Sequence, residues 1–273
     1  LTLHKLIYVE NIQYNSPQIW PQKFPIASTG KKQSPIDINT DNCLVVKGDT
    51  SGQNALKIIY PKTFPDISVQ NTGYGWKVDI PEELAIKTGG PLAHSYRLTQ
   101  FHCHWGKDCC VGSEHTVNGR SYAAELHFVH WNTELFSTAL EAMPSSNGLA
   151  VLGVFLDVGN ERNEELDRLL TNICLVKYKG EKCKIAHNVD VEKLLPENKS
   201  YYTYSGSLTT PPLWESVTWV VFSTPILCTA DQIAKFRDMC YVSRDQSLMG
   251  GELLENYRLP QPINDRTVTF VDI

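Results

Sequence analysis

Two short runs constrain this chain more than any other feature, because each sets ionisable side chains into an otherwise apolar strand pattern. In Gln100-Phe101-His102-Cys103-His104-Trp105, residues two apart share a strand face, so His102 and His104 present both imidazoles to one side. Cys103 then points the other way, into the core. The run from Tyr122 to Val129, which contains Glu125-Leu126-His127, is also strand-like, and pairing it beside the first brings His127 to the same point. A lone H-x-H pair reads as two satisfied sheet histidines. Three neutral imidazoles with a fourth position left to water are instead the donor set of a catalytic zinc, since structural zinc sites close all four positions. Cobalt or copper would also fit such nitrogen donors.

The flanking segments extend the pattern. They are Gly112-Ser113-Glu114-His115-Thr116-Val117, Ser207-Leu208-Thr209-Thr210-Pro211-Pro212, Gln33-Ser34-Pro35-Ile36-Asp37-Ile38 and Asn256-Tyr257-Arg258. With these segments and the histidine runs in the family's order and near its spacing, the chain resembles the α-class carbonic anhydrases from about Tyr14 to Phe270. The resemblance implies one domain (14–273, after an N-terminal arm, 1–13) with a large twisted sheet and zinc at the foot of a conical cleft. It also implies reversible hydration of carbon dioxide to bicarbonate and a proton, and inhibition by primary sulfonamides.

The same resemblance assigns roles to single residues. Gln100, Glu125 and the main-chain carbonyl of Asn256 would hold the outer ring nitrogens of His102, His127 and His104. Glu125 lies two residues before His127, so a shared strand face agrees with this. Thr209 would accept a proton from the nucleophile while donating its own to Glu114, which fixes orientation. Val129, Val151, Leu208, Thr210 and Trp219 would wall the substrate pocket, and Tyr14 would order water. His115 and His130 match buried structural histidines, and His4, His94 and His187 read as surface residues.

One departure is specific to this chain. Where fast relatives often carry a histidine that ferries protons out, this sequence has Tyr74, and Thr72 and Lys77 stand where Asn is common. Histidine suits the task because its pKa of about 6.5 lets it take and release a proton near neutrality. Tyrosine, at about 10, is a poor acceptor there. Proton export is therefore expected to be slow. A non-catalytic carbonic-anhydrase-related binding module is the rival reading, but such relatives lack one or more of the ligands kept here. A general zinc hydrolase has no extra base or peptide groove to support it.

Composition excludes several classes. With 42% hydrophobic and 20% charged residues the chain can build a sizeable core, and its net charge of −5 is dispersed. No basic patch suggests nucleic acid, and no apolar stretch reaches membrane-spanning length. Eight cysteines sit in a chain too long to need disulfide staples. The positions that secreted relatives bridge correspond to Ala27 and Leu213, so reduced thiols and a cytoplasmic setting are expected; a monomer is expected as well. The chain opens on Leu1 rather than Met, which leaves a removed leader open.

Strand-like runs recur at Leu56–Tyr60, Trp76–Ile80, Tyr96–Phe101, Leu149–Val158 and Ser216–Phe222. Helical spacing appears only at Thr133–Met143, Glu164–Ile173 and Ala230–Asp238, the last capped by Thr229. Prolines at 17, 21 and 25 leave Leu1 to Phe24 as an irregular arm. The expected fold is a β-dominated mixed α/β domain, its sheet mostly antiparallel, with short peripheral helices.

Overall fold

The computed structural model describes residues 17–49, 55–64, 66–81, 92–186, 189–249 and 251–273. The expected arm 1–13, Tyr14, His4 and His187 lie outside them.

In chain order the strands are β1 (Asp37–Ile38), β2 (Leu44–Lys47), β3 (Ser68–Asn71), β4 (Trp76–Asp79), β5 (Tyr96–Trp105), β6 (Thr116–Val117) and β7 (Ala124–Asn132). They continue as β8 (Leu149–Val158), β9 (Lys182–Lys184), β10 (Tyr201–Gly206), β11 (Val217–Phe222), β12 (Ile226–Cys228) and β13 (Thr269–Asp272). Eleven of them form one sheet in the order β2-β13-β10-β11-β8-β7-β5-β4-β3-β9, with β12 also on β8. Within this sheet, among the described residues, only the pairs β11–β8, β12–β8 and β13–β2 are parallel. The fold is thus the β-dominated, mostly antiparallel α/β domain that the sequence implies.

The centre of the sheet is buried on both faces, and strand alternation divides the core in two. Along β8, Leu152, Val154 and Leu156 join one cluster with Phe101, Cys103 and Trp105. Leu149, Val151 and Phe155 join another with Val129, Trp131 and Trp219. A strand covered twice reads as an unbroken apolar run, which is how Leu149–Val158 appears. On β5, Gln100, His102 and His104 face the side opposite Phe101, Cys103 and Trp105, so the histidines open toward the second cluster.

Helices are short and peripheral: α1 (Trp20–Lys23), α2 (Ile26–Thr29), α3 (Ala139–Ala142), α4 (Glu164–Ile173) and α5 (Ala230–Ala234). In α4 the Asn163 side chain accepts from Leu166 N–H, and three acidic residues stand in the first turn. At α5, Thr229 N–H donates to Gln232 Oε1 at 3.1 Å, and a tighter 3-10 turn (Lys235–Asp238) completes the expected span.

Two expectations need correction. The run Thr133–Met143 is helical only over α3, because Asn132 Oδ1 accepts from both Glu134 N and Leu135 N at 3.0 Å. That side-chain turn satisfies donors a helix would leave free, and the helix starts later, where Thr138 Oγ1 accepts from Glu141 N. Leu56–Tyr60 does not form a strand: Tyr60 turns into the core to donate to His130 Nε2 at 2.9 Å, while Ile59 is exposed.

The positions 27 and 213 meet without a bridge, since Ala27 packs against the cluster that holds Leu213 and Trp20. All eight cysteines are free thiols. Among the described residues no helix is long and apolar enough to cross a membrane.

His130 carries a pH prediction. It is fully buried, donating from Nδ1 to Ala150 O at 3.3 Å, and burial pushes its pKa down to about 4. Below about pH 6.5 the unfolded chain takes up a proton that the folded chain refuses, so stability falls as pH drops toward 4. The loss approaches about 3 kcal/mol, a slope of roughly 1.4 kcal/mol per pH unit. In metal-free protein, His130→Gln should flatten urea-derived stability between pH 6.5 and 4.5 by about that slope. An unchanged slope would assign the acid sensitivity elsewhere.

Candidate metal centre

The histidines meet because of strand register. His102 stands directly opposite His127 across β5 and β7, and His104 opposite Glu125. The three rings lie 4.7–5.3 Å apart, centroid to centroid. One nitrogen from each falls within 4.8 Å of the others.

Each ring is fixed in one tautomer by a bond at its outer nitrogen. His102 Nδ1 donates to Gln100 Oε1 at 2.8 Å, and His104 Nδ1 to the Asn256 carbonyl at 2.9 Å. His127 Nε2 donates to Glu125 Oε1 at 2.8 Å. With those nitrogens carrying the protons, His102 Nε2, His104 Nε2 and His127 Nδ1 are left as lone pairs on one point. His102 Nε2 and His104 Nε2 are only 3.2 Å apart. Two acceptors cannot bond each other, so this approach calls for a cation between them. Tetrahedral zinc with nitrogens at 2.0–2.1 Å would separate them by about 3.3 Å. The residues present therefore fit the ion.

Electrostatics agree. Burial holds His102 well below the usual histidine range, helped by His104, His127 and Lys77, and burial lowers His104 despite Glu114. Both are neutral near neutral pH, as metal ligands must be.

Glu125 is the most heavily bonded acceptor here. Its Oε2 accepts from Glu114 N at 2.9 Å and His115 N at 2.8 Å, and its Oε1 also accepts from His115 Nδ1 at 2.7 Å. Burial alone would raise its pKa. His115 and His127 outweigh that and hold it well below the ordinary carboxylate range. Room for it comes from Gly153 on β8, opposite His127, where an added Cβ would sit 3.1 Å from Glu125 Oε1. The set His115, Glu125 and His127 is also close enough to hold an ion, but the facing nitrogens carry protons already bonded to the carboxylate. It does not fit a metal. Glu125→Gln should weaken zinc affinity by about 10- to 100-fold, measured by competition with a chelator. Affinity within two-fold of the parent would remove Glu125 from that role.

Glu114 is 1% exposed. Its Oε1 accepts from Arg258 N at 2.8 Å, whereas Oε2 is buried and has no hydrogen-bond partner among the described residues. Such an oxygen costs about 1–3 kcal/mol if left unpaired. Thr209 does not bond to it directly, but both residues line the same cavity of about 790 Å³. His102, His104, Thr210 and Tyr74 also line it.

Val129, Val151 and Trp219 sit at one level across β7, β8 and β11, each paired with the next. Trp219 packs 4.8 Å from the His127 ring, and its Nε1 donates to Ser207 O at 3.1 Å, tying down the loop that carries Thr209. Leu208 packs against the same cluster. These four are not in the wall of the large cavity; they lie behind it, beside His127.

Tyr74 lies in the turn between β3 and β4, at the cavity wall, against the Trp20–Leu213 cluster. Lys179 Nζ stands 5.9 Å from its ring centre. Lys77, across from His102, pairs with Asp79 at 2.8 Å.

Sequence reasoning gave Arg258 and Gln33 no role, yet both brace the site. Arg258 Nη1 donates to Gln33 Oε1 at 3.0 Å and Ser34 O at 2.7 Å, while its backbone holds Glu114. Partners more than 140 residues apart leave no local pattern. Gly153, inside an apolar strand run, is a local sign of a close approach, the one that Glu125 makes.

Comparison with known proteins gives a consistent result. A model of the eukaryotic-type carbonic anhydrase family matches residues 15–272. Carbonic anhydrase 7 of Homo sapiens is 41% identical over 258 residues, 94% of this chain and 94% of that protein. Carbonic anhydrase 1 of Mus musculus is 42% identical over 257 residues, covering 93% and 94%. Carbonic anhydrase 1 of Monodelphis domestica is 40% identical over 256, with 93% and 94% covered.

Proposed function

Because this chain belongs to the eukaryotic-type carbonic anhydrases, we propose that it interconverts carbon dioxide and water with bicarbonate and a proton at a zinc ion held by His102, His104 and His127. The observation that carries the metal assignment is the pair of facing Nε2 lone pairs 3.2 Å apart. When bound, zinc would supply Lewis acidity that brings a coordinated water to a pKa of about 7, a value known from carbonic anhydrase itself.

The chain's own residues do the rest. Gln100, Glu125 and Asn256 keep the ring protons outward, so three neutral donors leave the ion's charge undiminished. Thr209 gives its hydroxyl proton to the unpaired Glu114 Oε2 and keeps a lone pair for the O–H of the nucleophile. That exchange aims the nucleophile's free electron pair at the substrate carbon. Thr210 lines the cavity, and Val129, Val151, Leu208 and Trp219, packed behind it beside His127, would give the small, uncharged substrate its apolar backing. Tyr74 stands where the proton leaves. With eight free thiols, the protein suits the cytoplasm.

The test is stopped-flow hydration of carbon dioxide at matched zinc content. Thr209→Ala should lower kcat/KM by about 100-fold, within the usual range for positioned proton-transfer groups. A primary sulfonamide should bind Thr209→Ala more weakly as well, because its N–H loses the Thr209 acceptor. Unchanged hydration and unchanged sulfonamide binding would rule out the orienting role.

A further inference from the structure

The Asn256 side chain joins two parts of the site that sequence reasoning treats separately. Its carbonyl accepts from His104 Nδ1, but the amide does more. Oδ1 accepts from Trp105 N at 2.7 Å, and Nδ2 donates to Tyr74 O at 2.8 Å and Cys103 O at 3.2 Å. Asn256 N donates to Trp105 O at 3.1 Å. Every polar atom of the residue is therefore used. Four of these five bonds are to β5 at Cys103, His104 and Trp105, and one grips the turn that carries Tyr74.

We propose that Asn256 is a positioning residue for proton export: its amide pins the Tyr74 turn to the metal-binding strand, setting where residue 74 stands relative to the ligands. This rests on the zinc reading above.

The chemistry is selective. Asp keeps the acceptor but loses both donors and turns a carboxylate toward two carbonyls. Gln places the amide one methylene too far. The turn is also shaped for this grip. Gly73, at φ +86°, donates its N–H to Asn71 Oδ1 at 2.7 Å, and Thr72 Oγ1 donates to Gly75 O at 2.9 Å. A Cβ on Gly75, whose φ is +149°, would lie 2.8 Å from Asn256 Nδ2. Gly75 is what lets the amide reach the Tyr74 carbonyl.

The experiment places Asn256→Asp and Gly75→Ala separately in a Tyr74→His background, where an imidazole reports the position of residue 74. In low buffer, kcat should fall at least about five-fold further than kcat/KM, because misplacing the group that accepts and passes on the proton costs the export step more than the attack. Added imidazole should restore the difference. A purely structural role would lower both parameters together, and that result, or no change in either, overturns the proposal. Hydrogen exchange gives a readout independent of turnover: with Tyr74 in place, Asn256→Asp should speed exchange of the Gly73 and Tyr74 amides at least about ten-fold. Unchanged exchange also overturns it. Metal content and kcat/KM of Tyr74→His alone report on the underlying zinc reading, so its failure would be seen separately.

Discussion

His127→Ala should leave a folded chain that retains almost no zinc and hydrates carbon dioxide at a small fraction of the parent rate. Loss of an outer partner such as Glu125 leaves three donors, misaligned, and costs about 10- to 100-fold in affinity. Removing His127 leaves two donors, so its effect should exceed that range. It also strands Glu125, which loses one of its four bonds and a neighbour that keeps it ionised. His102→Ala and His104→Ala should behave likewise, and each would relieve the 3.2 Å contact between facing lone pairs. Metal-free His102→Ala should therefore lose less stability than truncation of a buried side chain usually costs. Zinc stoichiometry and stopped-flow hydration check the first claim, and denaturant unfolding of the metal-free proteins checks the second. Full hydration by a metal-free His127→Ala chain would refute the ligand set.

What was legible in the sequence followed from strand periodicity. The two-residue spacing of Gln100, His102 and His104 placed all three on one face, and the spacing of Glu125 and His127 did the same one strand away. The apolar run Leu149–Val158 announced a strand covered on both sides. What was not legible depended on competition or distance. Thr133–Met143 has helical spacing, yet one side chain, Asn132, satisfies the amides a helix would have used. Leu56–Tyr60 has strand composition, but Tyr60 finds its partner in His130, seventy positions on. The grip of Asn256 on the Tyr74 turn spans 182 positions and leaves only Gly75 as a local trace. Buried polar contacts between distant segments have no periodic signature, and the site is assembled from them.

Tyr74→His should raise kcat at low buffer by roughly ten-fold or more, the usual scale of general acid–base effects, while leaving kcat/KM nearly unchanged. Attack on carbon dioxide and export of the proton are separate steps, and only the second needs a shuttle. A phenol with a pKa of about 10 accepts a proton poorly near neutrality, whereas an imidazole near 6.5 both accepts and releases one. In the proposed mechanism the attack depends on the histidines, Thr209 and Glu114, none of which the substitution touches. Small imidazole buffers should consequently rescue the parent more than the variant, since they supply from solution what residue 74 lacks. The surroundings set the size of the gain. Lys179 stands over the Tyr74 ring and Lys77 lines the cavity, although Asp79 pairs with Lys77. Both cations disfavour an imidazolium, lowering its pKa and shifting the optimum of the gain toward lower pH. Lys179→Ala in the Tyr74→His background should move that optimum upward. A parent kcat already independent of buffer, and unaltered by Tyr74→His, would mean that protons leave by a route that bypasses the turn.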